Sequence, residues 1–323
     1  SDSDHLVYRC VVNSSSSSSS SSGGIRSLMG GAIQGNPLNL SGTVSDFATG
    51  FSYPGDVTTD GNGNLYVADS GNHIIRKVVI STGDVSILAG SIGQKGYVDD
   101  TGPSARFNSP LAITSDGTNL YVTDKGSSYV RKIVISSGVV TSLANHGGGQ
   151  AYGITTDGTN LYITNTNGDT IQKVVISSGA VSTFAGSGSE GSLDGTGTSA
   201  QFNQPNDITT DGTNLYVAER YGHKIRKIVI SSAVVSIIAG CGSDGSNDGT
   251  GTDACFNKPN GIATDGTNLF VLDTHNHILR KIVISTKVVT TLATGFNLPG
   301  GLTTDGTYLY AADSYSHKLK KIE

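Results

Sequence analysis

The chain has 323 residues, 44 of them glycine, with 26 acidic against 21 basic side chains, a net charge of −5 and no tryptophan. No basic cluster marks a nucleic-acid footprint, and no apolar run approaches the roughly 20 residues that span a bilayer. Glycine and β-branched residues both disfavour helix interiors, so the composition predicts many short strands joined by turns.

Residues 1–12 carry a strand-like segment, His5–Val12, HLVYRCVV. The opening SDSDHLVYRC lacks a charged stretch before a long apolar core, so any secretion signal is expected to have been removed already. An apolar strand without a partner is an aggregation hazard unless it docks on its own body or adds to a neighbour's sheet edge. Leu6, Val7, Tyr8, Cys10, Val11 and Val12 are therefore the candidate self-association residues. Residues 13–41 read as a Ser/Gly-rich linker containing nine consecutive serines, which extended would reach about 30 Å. Asn13-Ser-Ser and Asn39-Leu-Ser fit the N-glycosylation pattern. Ser14, Ser15, Ser16, Ser17, Ser18, Ser19, Ser20, Ser21 and Ser22 offer hydroxyls for O-glycosylation.

From residue 42 to 323 the chain repeats itself. TTDGNGNLYVAD, TSDGTNLYVTD, TTDGTNLYITN, TTDGTNLYVAE, ATDGTNLFVLD and TTDGTYLYAAD are copies of one unit, with Asp-Gly turns at Asp60, Asp116, Asp157, Asp211, Asp265 and Asp305. Each full copy predicts four strands: one entering the Asp-Gly turn, one leaving it, then a KIRKIVI-like strand, a Ser-Gly turn and an outer strand such as AVSTFAG. Asp-Gly and Ser-Gly between alternating apolar runs are hairpin signals, because glycine tolerates the positive φ of tight turns. Four antiparallel strands per unit at this period indicate a propeller blade.

The sixth unit stops after its third strand, at HKLKKIE, whereas TVSDFATG near the N-terminus has the form of an outer strand with no blade before it. Thr43–Ala48 is thus expected to complete blade six and close the ring. The fold class is all-β: a six-bladed β-propeller closed by an N-terminal strand, with an extended N-terminal tail.

The pattern Asp69, Asn72-His73 and Arg76 in YVADSGNHIIRKV resembles the signature of the NHL-repeat family, and the resemblance extends over residues 43–323. It implies a six-bladed propeller of bacterial secreted type. NHL propellers include protein binders, RNA binders and a few enzymes, among them peptidyl-hydroxyglycine lyases that use His-bound zinc.

His73, His223, His277 and His317 occupy one repeat position in four blades. Rotation separates such positions, whereas zinc needs its ligands about 2 Å from one point, so their expected role is packing. His275 and His146 lie outside that register and are weak metal candidates. Asp69/Arg76, Asp124/Arg131, Glu219/Arg226, Asp273/Arg280 and Asp313/Lys320 recur at one spacing, and blade 3 replaces both members with amides, Asn165 and Gln172. Joint loss of charge is the mark of a mutually compensating, partly buried pair.

Three links between blades are long: GSIGQKGYVDDTGPSARFNSP, GSGSEGSLDGTGTSAQFNQP and GCGSDGSNDGTGTDACFNKP. They are expected to fold over the propeller mouth through Phe107, Phe202 and Phe256, their DGTG oxygens offering only a weak calcium option. Cys241 and Cys255 are expected to pair, leaving Cys10 over. No catalytic triad, phosphate loop or paired-carboxylate motif stands out, and no cofactor is expected.

The function predicted from sequence is a secreted, non-catalytic structural or adhesive protein, extracellular or on the cell surface. It self-associates as a homo-oligomer or filament by donating the N-terminal strand, with glycans as further partners and neither nucleic acid nor a membrane span. The alternatives are a metal-dependent lyase or hydrolase at the propeller mouth, and a monomeric peptide- or glycan-binding module.

Overall fold

A computed structural model describes residues 27–147 and 150–323. Six four-stranded antiparallel blades form the ring. The innermost strands are Pro54–Thr59, Pro110–Ser115, Ala151–Thr156, Pro205–Thr210, Ile262–Thr264 and Leu302–Thr304. Six apolar clusters fill the ring, one at each junction between neighbouring blades. The core is therefore a cycle of interfaces, which suits a repeat that cannot bury its apolar face alone.

The ring closes as the sequence predicts. Strand β3 (Val44–Ala48, with β1 and β2 given below) pairs antiparallel with Lys318–Ile322, matching Val44 to Ile322 and Ala48 to Leu319. Glu323 N donates to Thr43 O at 2.9 Å, and Gly42 N to Glu323 O at 2.7 Å. Pairing of the first and last strands of the ring leaves no gap in it.

The Asp-Gly turns gather on one face, here the turn face. Each Asp caps its own turn; Asp116 Oδ1 accepts from Thr118 N and Asn119 N, and Oδ2 from Tyr121 Oη at 2.9 Å. Links between second and third strands, and between blades, lie on the opposite loop face.

Residues 27–41 were expected to belong to a linker separate from the ring. Instead, β1 (Ser27–Met29) and β2 (Ala32–Gln34) form a hairpin on the turn face. Its two-residue turn, Gly30-Gly31, has φ of 58° and 75°, a conformation that glycine adopts without a Cβ penalty. Gly31 O accepts from Thr59 N, Thr58 Oγ1 and Thr303 Oγ1 at 2.8–3.1 Å, so the tip is seated at the axis. Gln34 Nε2 donates to Thr210 O at 2.6 Å, and Leu38 N to Asp265 Oδ2 at 2.8 Å. The expected strand at Leu6–Val12, Cys10, Asn13 and the serine tract lie outside the described residues.

Candidate functional site: the channel and the loop face

The sequence-nominated histidines are spread around the ring. His73, His223, His277 and His317 all sit at positive φ, between 52° and 60°, directly after the turn that ends the second strand. Each imidazole that bonds does so across a blade junction: His73 Nδ1 accepts from Ser109 N and His317 Nδ1 from Tyr53 N, both at 3.0 Å. Asp169 fills the same place in blade 3 and accepts from Gln204 N at 2.8 Å. His73, Asp169 and His317 thus join blades. His146 is buried in the short link between blades 2 and 3, and its desolvated ring is held below the usual histidine range. His275 is also lowered, by burial and by Lys258 and Arg220 nearby. The two do not meet, and among the described residues no three His, Cys, Asp or Glu converge as metal ligands.

The acid–Arg pairs are as expected, but three arginines have a second acid that the sequence reading missed. Arg226 is fully buried; Nη1 meets Glu219 Oε1 at 2.7 Å and Nη2 meets Asp194 Oδ1 at 2.8 Å. Arg280 likewise joins Asp273 at 3.1 Å and Asp248 at 2.8 Å, and Arg131 joins Asp124 and Asp99. Asp99, Asp194 and Asp248 are the DDTG, DGTG and DGTG acids of the long links. Their carboxylates are committed to arginine, which removes the calcium option there. The guanidinium of each Arg lies 5.0–5.2 Å over the ring of Phe107, Phe202 or Phe256.

The links were expected to fold over the mouth. They run instead to the outer edge of the following blade, because the buried Phe and the Arg-bound Asp pull them outward. Gly195–Thr196 pairs with Val235 and Val234, Gly249–Thr250 with Val289 and Val288, and Thr101 bridges Val139. In the third link Cys241 and Cys255 form the expected disulfide. Asn39 is exposed, as a glycosylation acceptor must be.

Outward straps leave the channel mouth open on the loop face. A cavity of about 110 Å³ there is lined by Gly55, Asp56, Leu111, Tyr152, Asp207 and Asn260, with Gly300, Gly301 and Ser314 completing the wall. Asp56 and Asp207 occupy equivalent positions in blades 1 and 4, on opposite sides of a six-fold ring whose other members are Ala112, Gly153, Gly261 and Gly301. A β-bulge before each aspartate turns it inward. Small neighbours make room: a Cβ on Gly153 would lie 2.6 Å from Asp207 Cα, and one on Gly301 would strike Asp56 Oδ1. Burial pushes Asp56 well above the ordinary carboxylate range, with the charge of Asp207 adding to it, and burial lifts Asp207 to about 7.

The loop face carries three aromatic stations, of which Tyr152 lines the cavity. Exposed Tyr53 and Tyr315 pack edge to face at 5.5 Å, beside His317. Lys125 lies 5.2 Å from the Tyr152 ring centroid. Exposed Tyr221 is flanked by Lys258 at 4.9 Å and Arg220 at 5.8 Å. The arrangement offers flat apolar faces, cations and hydrogen-bond groups around a shallow well. Such a surface can hold a polar ligand.

The NHL repeat pattern matches residues 51–78. NHL repeat-containing protein 2 of Bos taurus is 35% identical over 105 residues, 31% of this chain and 14% of that protein. Protein SUPPRESSOR OF QUENCHING 1, chloroplastic, of Arabidopsis thaliana is 28% identical over 226 residues, 68% of this chain and 18% of that protein. The chain thus spans less than a fifth of the length of these relatives. Among solved structures, an auxiliary nutrient binding protein from Bacteroides thetaiotaomicron superposes with a TM-score of 0.66 at 16% identity, covering 85% of this chain and 69% of that one. Virginiamycin B lyase from Staphylococcus aureus superposes with a TM-score of 0.60 at 14% identity, covering 87% and 98%. At such identities the likeness is one of fold.

Proposed function

For this chain, a six-bladed propeller whose first blade matches the NHL repeat pattern, we propose a non-catalytic binding role in which the loop face receives a saccharide. The observation that carries the reading is the asymmetry of the channel. One mouth is filled by the β1–β2 hairpin, while the other opens on the loop face, where Tyr152 lines the cavity and the Tyr53/Tyr315 pair and Tyr221 stand exposed on loops of that face. Tyrosine faces stack on sugar rings at little entropic cost, and Asn260, Ser314 and the cations supply hydrogen bonds. Structural likeness to auxiliary nutrient binding proteins supports the same direction. A lyase is the weaker alternative, since among the described residues no three His, Cys, Asp or Glu converge. A glycan-array screen followed by calorimetry on Tyr53→Ala/Tyr315→Ala and Tyr221→Ala tests it. Binding that falls at least tenfold in these variants supports the proposal; a wild-type protein that retains no saccharide overturns it.

A second reading is favoured by a different observation. The link straps cover the outer edges of blades 2, 4 and 5, while the outer strands of blades 1, 3 and 6 carry no added strand among the described residues. An extended segment such as Leu6–Val12 from a neighbouring copy has a place to add there. This is the self-associating, secreted form, and the Cys241–Cys255 disulfide suits an oxidising compartment. Deleting residues 1–24 then abolishes oligomers in light scattering; unchanged oligomers exclude this mode. No described helix is long and apolar enough to cross a membrane.

A further inference from the structure

On the loop face, blades 4 and 5 meet around a group of cations. In four blades the residue that follows the second strand is Ser70, Thr166, Thr274 or Ser314. Its hydroxyl donates to the carbonyl of the proline at the entry to the next blade, at 2.5–3.1 Å. Blade 4 places Arg220 there instead, although Pro259 still stands at the entry to blade 5. Blade 2 has Lys125, but it is followed by Gln150-Ala151 and has no such proline to bond. At Arg220, then, the chain gives up a junction bond that was open to it and gains a long cation on the loop face.

Other groups gather around this arginine. Lys258, at the entry to blade 5, has φ of 50°; Tyr53, Ser109, Gln204 and Leu298 hold the equivalent place at positive φ, and among these only Lys258 is charged. Arg220 and Lys258 lie 5.8 and 4.9 Å from the ring centroid of exposed Tyr221, whose face attracts both. Exposed His275 stands on the next turn, where the charges of Lys258 and Arg220 add to burial in lowering its pKa. Among the described residues neither Arg220 nor Lys258 forms an ion pair, whereas Arg76, Arg131, Arg226 and Arg280 all do. Like charges held side by side without a counter-ion cost free energy that a bound anion recovers.

We propose that this cluster binds the carboxylate or sulfate of an acidic saccharide, with Arg220 and Lys258 as the residues that select it. The inference rests on the saccharide reading and narrows it to anionic sugars. The planar fork of Arg220 suits two oxygens of either group, and Lys258 adds a point charge. Asn260, two positions after Lys258, is part of the cavity wall, so a sugar held by its acid group meets an amide there with its hydroxyls.

The test is calorimetry on the full chain with an oligogalacturonate, its neutral methyl ester and a sulfated galactan oligomer. Both anionic oligomers bind at least tenfold tighter than the ester, and the preference shrinks as NaCl is raised; the tighter of the two identifies the acid group. In Arg220→Thr/Lys258→Gln the preference disappears. Arg220→Thr alone also restores the hydroxyl that other blades use. Its Tm therefore stays level or rises while its affinity for the anionic oligomers falls about tenfold. A lower Tm with unchanged affinity marks Arg220 as structural and overturns the proposal. Equal binding of acid and ester, or a preference that survives in the double variant, overturns it too and leaves the saccharide reading standing. No binding of any saccharide, neutral or acidic, removes both.

Discussion

Blades 2, 4 and 5 differ from blades 1, 3 and 6 at one position on the third strand. In the first group a link strap arrives with an aspartate and a phenylalanine, and the residue there is a fully buried Arg131, Arg226 or Arg280. In the second group no strap arrives. Arg76 stays 14% exposed and bonds Gly50 O, Lys320 donates to Gly295 O, and Gln172 is neutral and donates to His146 O. A guanidinium leaves water only where two carboxylates, two carbonyls and an aromatic face replace its hydration. The strap and the buried charge are thus one unit, repeated three times and omitted three times.

The sharpest way to break this comparison is to remove the cation. Arg226→Ala leaves Glu219 and Asp194 facing each other unpaired, with an expected loss of about 3–5 kcal/mol in denaturant unfolding. Gln172→Ala, the same position without a strap, should cost about 1 kcal/mol. Equal losses would dissolve the distinction between the groups. Cys241→Ser/Cys255→Ser isolates the strap itself; opening this short ring should lower stability by about 3 kcal/mol and raise hydrogen exchange at 247–250 ahead of 193–196, which a mass-spectrometric time course resolves. Asp194→Asn keeps the shape and removes one carboxylate that is half exposed, so a cost of about 1 kcal/mol is expected, with exchange rising along Gly195–Thr196.

Acid gives the smallest and most local effect. Burial pushes the Asp248 carboxyl up, but hydrogen bonds from Thr291 and Arg280 outweigh it and hold the group below its ordinary value of 3.8. A carboxylate lowered on folding contributes stability above its unfolded pKa, and that contribution fades as pH falls through the folded value. The strap on blade 5 should therefore loosen below about pH 4, seen as faster exchange at residues 247–250 while the ring stays folded. A strap that loosens on raising the pH instead would refute the ion-pair account.

The repeat, the closing strand, the separation of the in-register histidines and the acid–Arg pairs were legible in the sequence because each depends on local turn chemistry or a fixed spacing; the histidines' bonds to the next blade were not. The strap aspartates were visible too: Asp99, Asp194 and Asp248 occur only in the three links whose blades carry a fully buried arginine, but their glycine-rich setting suggested loops folded over the mouth, with a weak calcium option. Asp56 and Asp207 escaped notice because opposition across a ring is a property of six-fold geometry, and no window of sequence contains it. The hairpin was hidden for a similar reason. LMGGAIQG is short, and its stability comes from Thr58, Thr210, Asp265 and Thr303, all distant in sequence. One trace of it did exist. Blade 5 departs from the repeat at Ala263, where the other copies have Thr, and at Phe270, where they have Tyr. The missing hydroxyl at Phe270 leaves Asp265 Oδ2 free for Leu38 N.

The pairing of β3 with Lys318–Ile322 joins segments more than 270 positions apart. Five blades are built from neighbours in the chain and can assemble as they emerge from the ribosome. The sixth cannot, since its outer strand is made before the other five blades and must wait for a partner made after them. Long-range closure of this kind is slow, because the loop's entropy is lost before any contact rewards it. Refolding should accordingly show an early phase for the interior blades and a late one in which the sixth blade and the hairpin over the axis lock together.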